Sequence, residues 1–352
     1  MKNKEENYRI ECLQKYGKSA LSFLTLSDSL SIFRGKWDGY IAYREYLKTA
    51  VVLGDPIVPT ESLRQAVRDL KDEFSSKKVH ICLVACTEKV IDVLRQEGFK
   101  GIYVGCEAIV DLRKFDISGN RKWCIRSSVN YAKRNGMDVE EYLYTSKRDH
   151  KLENKIKKVS EEWSSRKMTP VYSFAFGLID FEKNKARYFV CKHENKVVGF
   201  ITYYPILATN NYYLDLQRRG RDAPRGTMDY LMVESFEMLK REGIEKIHIG
   251  LAPLSFQTME NNRNTRITNT LFFALKPFFE FIYPAKTEFL FKNKFATDWE
   301  PNYMFYYPQI SIRALLSFLR AFYNGEIMSL ILHKTKCLIK YRSSRTRRFK
   351  RY

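Results

Sequence analysis

The 352 residues predict an α/β protein, an α+β arrangement of mixed sheets in two similar halves. Three observations carry that prediction. Strand-like runs alternate with helical ones. Each half opens on successive strands and only then inserts a helix before its next strand. Hydrophobic residues make up 45% of the chain and aromatics 14%, enough to fill the cores that such layers need.

In the first half, strands are expected at "SFLTL" (22–26), "YIAYREY" (40–46) and "TAVVLGD" (49–55). A helix follows Thr60, because Leu63, Ala66, Val67, Leu70 and Phe74 keep helical spacing. Strand "VHICLVA", helix "EKVIDVLRQEG" and strand "GIYVG" come next. Residues 114–165 are charged and mostly helical, and the join between halves is placed there. The second half repeats the order: strand "ARYFVCKH", a turn at Glu194-Asn195, strands "KVVGFITYY" and "NYYLDL", a helix, and strand "KIHIGLA". Antiparallel strands, a helix and a further strand follow the order of the acetyltransferase-like (GNAT) fold. The expected architecture is therefore two GNAT-like domains in tandem, 1–140 and 141–310, with a basic amphipathic tail over 311–352.

A formal charge of +21 points to a polyanionic partner, nucleic acid or anionic membrane. Lys334–Tyr352 holds nine Lys/Arg and no acid, and taking those nine from +21 still leaves the rest basic at +12. The seven cysteines show no zinc-ligand spacing, and Cys82 and Cys86 fall in an apolar run, which fits core thiols in a reducing cytoplasm. No metal site is expected. The polar N-terminus is not a signal peptide. No apolar run approaches the ~18 residues of a membrane span, so membrane contact is expected to be peripheral. The tail is the best candidate for that contact, with tRNA binding as its rival.

The most unusual stretch is "YYLDLQRRGRDAPRGTMDYLMVESFEML" (212–239), where a strand feeds a helix through a crowd of charges. Asp215 sits among large apolar residues, so it is expected to be buried and to need a cation, for which Arg218 is nearest. Three residues apart on an unbroken strand, the two would face opposite sides of the sheet. They are expected to meet because the strand ends near Leu216. Pro224 and Gly226 break the chain, and Thr227 is the expected N-cap of a helix whose buried stripe is Met228, Leu231, Met232, Phe236 and Leu239. Arginines ahead of a helix N-terminus make an anion site. The alternative is a buried ion pair beside a solvated basic loop.

This stretch resembles the catalytic domain of bacterial phosphatidylglycerol lysyltransferases, the multiple peptide resistance factor family. The resemblance rests on Asp215-Leu216-Gln217-Arg218, Gly226-Thr227-Met228-Asp229 and Gly250-Leu251-Ala252-Pro253-Leu254. It extends to "VLGDP" (52–56), "RSSVNYAKRNG" (126–136) and "FKNKFATDWEPNYMFYYP" (291–308), in order over residues 20–308. It implies an enzyme on the tandem GNAT-like fold that uses no acetyl-CoA and no other cofactor. Such an enzyme takes an amino acid, lysine in the best-known case, from aminoacyl-tRNA and esterifies it to a hydroxyl of an anionic phospholipid, at the inner face of the plasma membrane. It further implies that Asp215 and Arg218 are needed for activity.

Other positions carry two readings each. Arg126 and Asn130, with Lys133 and Arg134, mark a basic helix that either faces solvent or meets tRNA phosphate or lipid headgroup. Gly226 and Thr227 belong to the anion site. Asp229 either complements the helix dipole or holds a substrate amine. Gly250 and Pro253 form a structural turn or a floor for the tRNA 3′ end. Lys292 and Lys294 are expected on a strand, alternating with Phe291 and Phe295. Gly54-Asp55-Pro56 is read as a turn, and His248 as a core residue.

Rival functions are an acetyl-CoA-dependent acyltransferase, weakened because Asp222 would repel pyrophosphate, and aminoacyl transfer to a peptide or small amine. A non-enzymatic nucleic-acid binder is permitted by charge, but no recognition motif for it is visible.

Overall fold

The computed structural model describes residues 2–167, 177–182, 185–253, 255, 285–309 and 311–322. All eleven strands among these residues join one mixed sheet. In chain order the elements are α1 (Lys2–Tyr16), β1 (Ser31–Phe33), β2 (Ile41–Tyr46), β3 (Thr49–Leu53), α2 (Leu63–Ser76), β4 (His80–Cys86), α3 (Glu88–Gln96) and β5 (Lys100–Asp111). Then come α4 (Trp123–Arg134), β6 (Asp138–Tyr142), α5 (His150–Lys167), β7 (Arg187–His193), β8 (Lys196–Ile206), β9 (Asn211–Arg219), α6 (Thr227–Arg241) and β10 (Lys246–Pro253). A helix at Ala285–Asn293, strand β11 (Asp298–Tyr307) and a helix at Ile312–Phe322 complete the set.

The strand order is β1-β2-β3-β4-β11-β5-β10-β9-β8-β7-β6. The expected repetition is present: β1, β2 and β3 are antiparallel and β4 is parallel to β3 across α2, just as β7, β8 and β9 are antiparallel and β10 is parallel to β9 across α6. This is the α/β, acetyltransferase-like arrangement expected for each half. The two halves meet where β5 pairs antiparallel with β10, and β11 returns to fill the gap between β4 and β5.

Strand alternation sorts the core into layers. Val51, Leu53, Tyr188 and Val190 face one side, under α1, α5 and the helix Ile312–Phe322. Their neighbours Ala50 and Val52 face the other side under α2 and α3, and Phe189 and Cys191 do so under α4 and α6. The stripe Leu63, Ala66, Val67, Leu70 and Phe74 of α2 is buried as its spacing requires. Each of the Leu, Val and Phe side chains in this stripe contributes about 1.5–3 kcal/mol on burial.

One expected strand is a helix. Ser22–Leu26 forms a 3₁₀ turn, with Leu24 N–H donating to Leu21 O and the Thr25 hydroxyl to Ser22 O (2.6 Å). Hydroxyl side chains that can close a local turn outcompete a ladder here, while Phe23 and Leu24 still reach the core. Among the described residues no helix is long and apolar enough to cross a membrane. The basic stretch from Lys334 onward lies outside the described residues.

Candidate active site at the splayed strands

β9 does not end near Leu216, as expected, but runs to Arg219. A bulge brings Asp215 and Arg218 to one face instead. Leu214 pairs with Tyr203 and Gln217 with Ile201, so Asp215 and Leu216 together stand opposite the single residue Thr202. The Leu216 amide, pushed out of the ladder, donates to the Thr202 hydroxyl (3.0 Å). The extra residue resets the alternation, so positions three apart share a side.

Both side chains are buried. The Asp215 carboxylate accepts the Gly177 amide at both oxygens, 3.0 Å to Oδ1 and 2.9 Å to Oδ2. A Cβ on residue 177 would come within 2.6 Å of Asp215 Oδ2, so only glycine permits this approach. Arg218 donates from Nη1 to the Ser160 hydroxyl, and its guanidinium lies over the Trp163 ring, 5.1 Å from the centroid. Burial pushes the Asp215 carboxyl up to about 7, against the Gly177 hydrogen bonds and the Arg218 charge, which pull it down. Burial likewise lowers Arg218, opposed by Asp215. A carboxyl titrating near neutrality can exchange a proton under working conditions, and a fixed guanidinium beside it can stabilise negative charge.

The two residues lie where the sheet opens. β9 and β10 pair only from Asn211 with Lys246 to Tyr213 with His248. Beyond that point β9 continues to Arg219 and β10 to Pro253 without pairing each other. Each strand has its bulge just past the last shared pair, for on β10 Ile249 and Gly250 stand opposite one residue of β5. Gly250 has φ +86°, which favours glycine, and a Cβ there would lie 3.4 Å from Lys292 Nζ and 3.9 Å from the Tyr213 hydroxyl. Lys292 is buried and donates to Leu251 O at 2.6 Å, and burial lowers its pKa. At the base of the opening His248 Nδ1 stands 3.3 Å from Glu107 Oε2. That carboxylate, with Glu300, raises the His248 pKa against the opposing effect of burial. Asp215, Arg218, Gly250, Lys292 and Pro253 thus all belong to the splayed segments of β9 and β10 or pack against them.

The other candidates gather behind the sheet, around the start of α6. Gly226, not Thr227, is the N-cap residue: it has φ +82°, and a Cβ there would meet Ser128 O at 2.9 Å. Thr227 is instead the first residue within the helix, and its hydroxyl donates back to Pro224 O (2.7 Å). Asp229 pairs with Lys294. Arg126 donates from Nη1 to Ile117 O and Gly119 O, fastening the loop ahead of α4, while Asn130 is exposed. Lys292 and Lys294 are not on a strand. Lys292 lies in the last turn of the helix Ala285–Asn293, and Lys294 lies in the turn beyond it over the Phe291 and Phe295 rings. The turn that closes the helix, in which the Lys294 amide donates to Phe291 O and the Phe295 amide to Lys292 O, brings the Phe291 and Phe295 rings together, with centroids 5.4 Å apart.

Sequence reasoning missed Ser160, Trp163, Gly177 and Thr202. Gly177 contributes a backbone amide from 38 residues upstream, for which no side-chain signal exists. Thr202 had a faint one, the single aliphatic hydroxyl in the apolar run of β8.

The family model described as "Phosphatidylglycerol lysyltransferase, C-terminal" matches residues 10–306. A phosphatidylglycerol lysyltransferase of Bacillus subtilis is 26% identical over 304 residues, 84% of this chain but 34% of that protein. The chain thus spans about a third of the length of the curated relatives it matches. Two solved structures share the fold. One is assigned as the C-terminal domain of a lysylphosphatidylglycerol synthetase from Agrobacterium fabrum, with TM-score 0.76 and 21% identity over 92% of this chain and 98% of that one. The other is L-PGS from Bacillus licheniformis, with TM-score 0.74 and 24% identity over 89% and 94%.

Proposed function

The chain belongs to the phosphatidylglycerol lysyltransferase C-terminal family, and we propose on that footing that it is an aminoacyltransferase whose acceptor is the hydroxyl of phosphatidylglycerol and whose donor is an aminoacyl-tRNA, lysine being the favoured amino acid. The observation that supports this most is Asp215: a buried carboxyl titrating at about 7, beside Arg218, at the mouth of a parted strand pair.

The chemistry needs no cofactor, because the donor ester is already activated. The lipid hydroxyl attacks the ester carbonyl and gives its proton to Asp215. Negative charge collects on the carbonyl oxygen, where the Arg218 guanidinium opposes it. The bond to the tRNA 3′-terminal ribose oxygen then breaks, and that oxygen takes a proton back. A positioned base contributes about 10²–10⁴ in rate and one oxyanion donor about 10²–10³. The net charge of +21 suits both anionic substrates. The site of action on this reading is the cytoplasmic face of the membrane, met peripherally.

The test is incubation of purified protein with radiolabelled aminoacyl-tRNAs and phosphatidylglycerol liposomes, followed by lipid extraction. RNase-sensitive label in the lipid is expected, and its identity names the donor. Label that never enters lipid, together with thermal stabilisation by acetyl-CoA, overturns the reading.

A further inference from the structure

α4 buries Ile125, Ser128, Val129 and Ala132 against the sheet and α6. Its opposite face carries Trp123, Asn130, Tyr131 and Arg134, all exposed, at the spacing of one helical surface. Trp123 is 61% exposed and Tyr131 39%, which sets them apart from the many aromatics of this chain that lie in its cores. From Arg121 to Gly136 there are five Lys/Arg and no acid. Of these, Lys133 is paired with Glu234 (2.8 Å) and Arg126 is tied to loop carbonyls, whereas Arg121 and Arg134 stand exposed beside the aromatics.

We propose that this face of α4 is the surface by which the protein docks on an anionic phospholipid bilayer, with Trp123 and Tyr131 entering the headgroup layer and Arg121 and Arg134 meeting lipid phosphates. Tryptophan and tyrosine favour the boundary between water and hydrocarbon, and a polar face rich in Arg and Lys adds attraction to anionic lipid. Position supports the assignment. The loop that leaves β9 after Arg219 ends at Gly226, where an added Cβ would meet Ser128 of α4. Lys122, just ahead of α4, donates to Lys294 O, and Lys294 in turn pairs with Asp229 in the first turn of α6. A bilayer on α4 therefore lies next to the segment that leads out of the splayed strands.

The inference rests on the reading that the acceptor is a bilayer lipid, and the experiment separates the two. Sedimentation with vesicles of phosphatidylglycerol or of phosphatidylcholine is measured for the wild type, W123S/Y131S and R121E. The wild type should bind the anionic vesicles and scarcely the zwitterionic ones. W123S/Y131S should bind the anionic vesicles at least tenfold more weakly, R121E severalfold, and W123F close to normally. Transfer to vesicle lipid should fall with binding, while W123S/Y131S keeps transfer to short-chain phosphatidylglycerol dispersed as monomers, which also proves it folded. Unchanged vesicle binding overturns the proposal, as does lost tRNA affinity with vesicle binding intact. If the wild type transfers nothing to either lipid but its vesicle binding still needs Trp123, the docking surface stands and the acceptor reading falls.

Discussion

β3 and β4 in the first half stay paired from Thr49 with His80 to Leu53 with Val84, and Gly54 N–H extends the contact to Val84 O. Their counterparts β9 and β10 part after Tyr213 and His248. A carboxylate marks each place. Asp55, just past β3, accepts both the amide (2.9 Å) and the hydroxyl (2.7 Å) of Thr87, and Thr87 in turn caps α3. Asp215 is held by one backbone amide and faces a guanidinium that does not neutralise it fully. Burial raises both carboxyls. The same strand–helix–strand unit thus makes a closed joint in one half and an open mouth in the other; β4 carries a bulge at Val84–Ala85 as β10 does at Ile249–Gly250, so the bulge at Asp215–Leu216, which β3 lacks, sets the two apart.

The sharpest way to break this comparison is to remove each carboxylate charge in turn. Asp215→Asn should lower the transfer rate about 10²–10⁴-fold with the fold intact, whereas Asp55→Asn should leave kcat nearly unchanged. Equal losses in a lipid aminoacylation assay would end the distinction. Arg218→Lys comes next, because it loses the contacts to Ser160 and Trp163. A fall of about 10²-fold is expected, mainly in kcat.

Thr202→Val tests the bulge itself. It removes the acceptor of the Leu216 amide, and an orphaned buried donor costs about 1–3 kcal/mol. Activity should drop with stability, because Asp215 and Arg218 lose their common face. Urea midpoints and kcat measured together would show a purely structural role if only the first moved. For Asp55→Asn a similar loss of about 1–3 kcal/mol is expected, read only in the unfolding midpoint.

The pH dependence of stability reads the same carboxyl without any assay of transfer. The folded-state pKa of Asp215, about 7, exceeds its unfolded value of 3.8, so folding favours the protonated form. Its ionisation costs nothing below pH 3.8, costs progressively more as pH rises towards 7, and costs a constant amount above. Asp215→Asn should therefore raise Tm relative to wild type at pH 8 and lose the advantage near pH 4. The wild-type rate should rise with pH through about 7 and then level off, since the base form reacts. A rate that falls over this range would exclude Asp215 as the base.

Much of this is legible in the sequence. The stripe of α2, the doubled order of strands and helix, and the burial of Asp215 all follow from spacing and from apolar neighbours. The misplaced elements share one cause. Lys292 and Lys294, and residues 22–26, are not on the strands expected for them, because short apolar runs carry no period of their own and take whichever structure their surroundings pair.

The chain alone determined that a carboxylate and a guanidinium would be buried near the point where β9 gives way to α6, because local apolar context and turn residues act over a few positions. It could not decide how the two reach one face, since one inserted residue opposite Thr202 changes the register without leaving a mark in the alternation of β9. Nor could it supply Gly177, Ser160 and Trp163, which lie far away along the chain and meet the site only after the sheet has formed. Pairing register and long-range contact depend on which strands find each other, and that was decided by the tertiary structure.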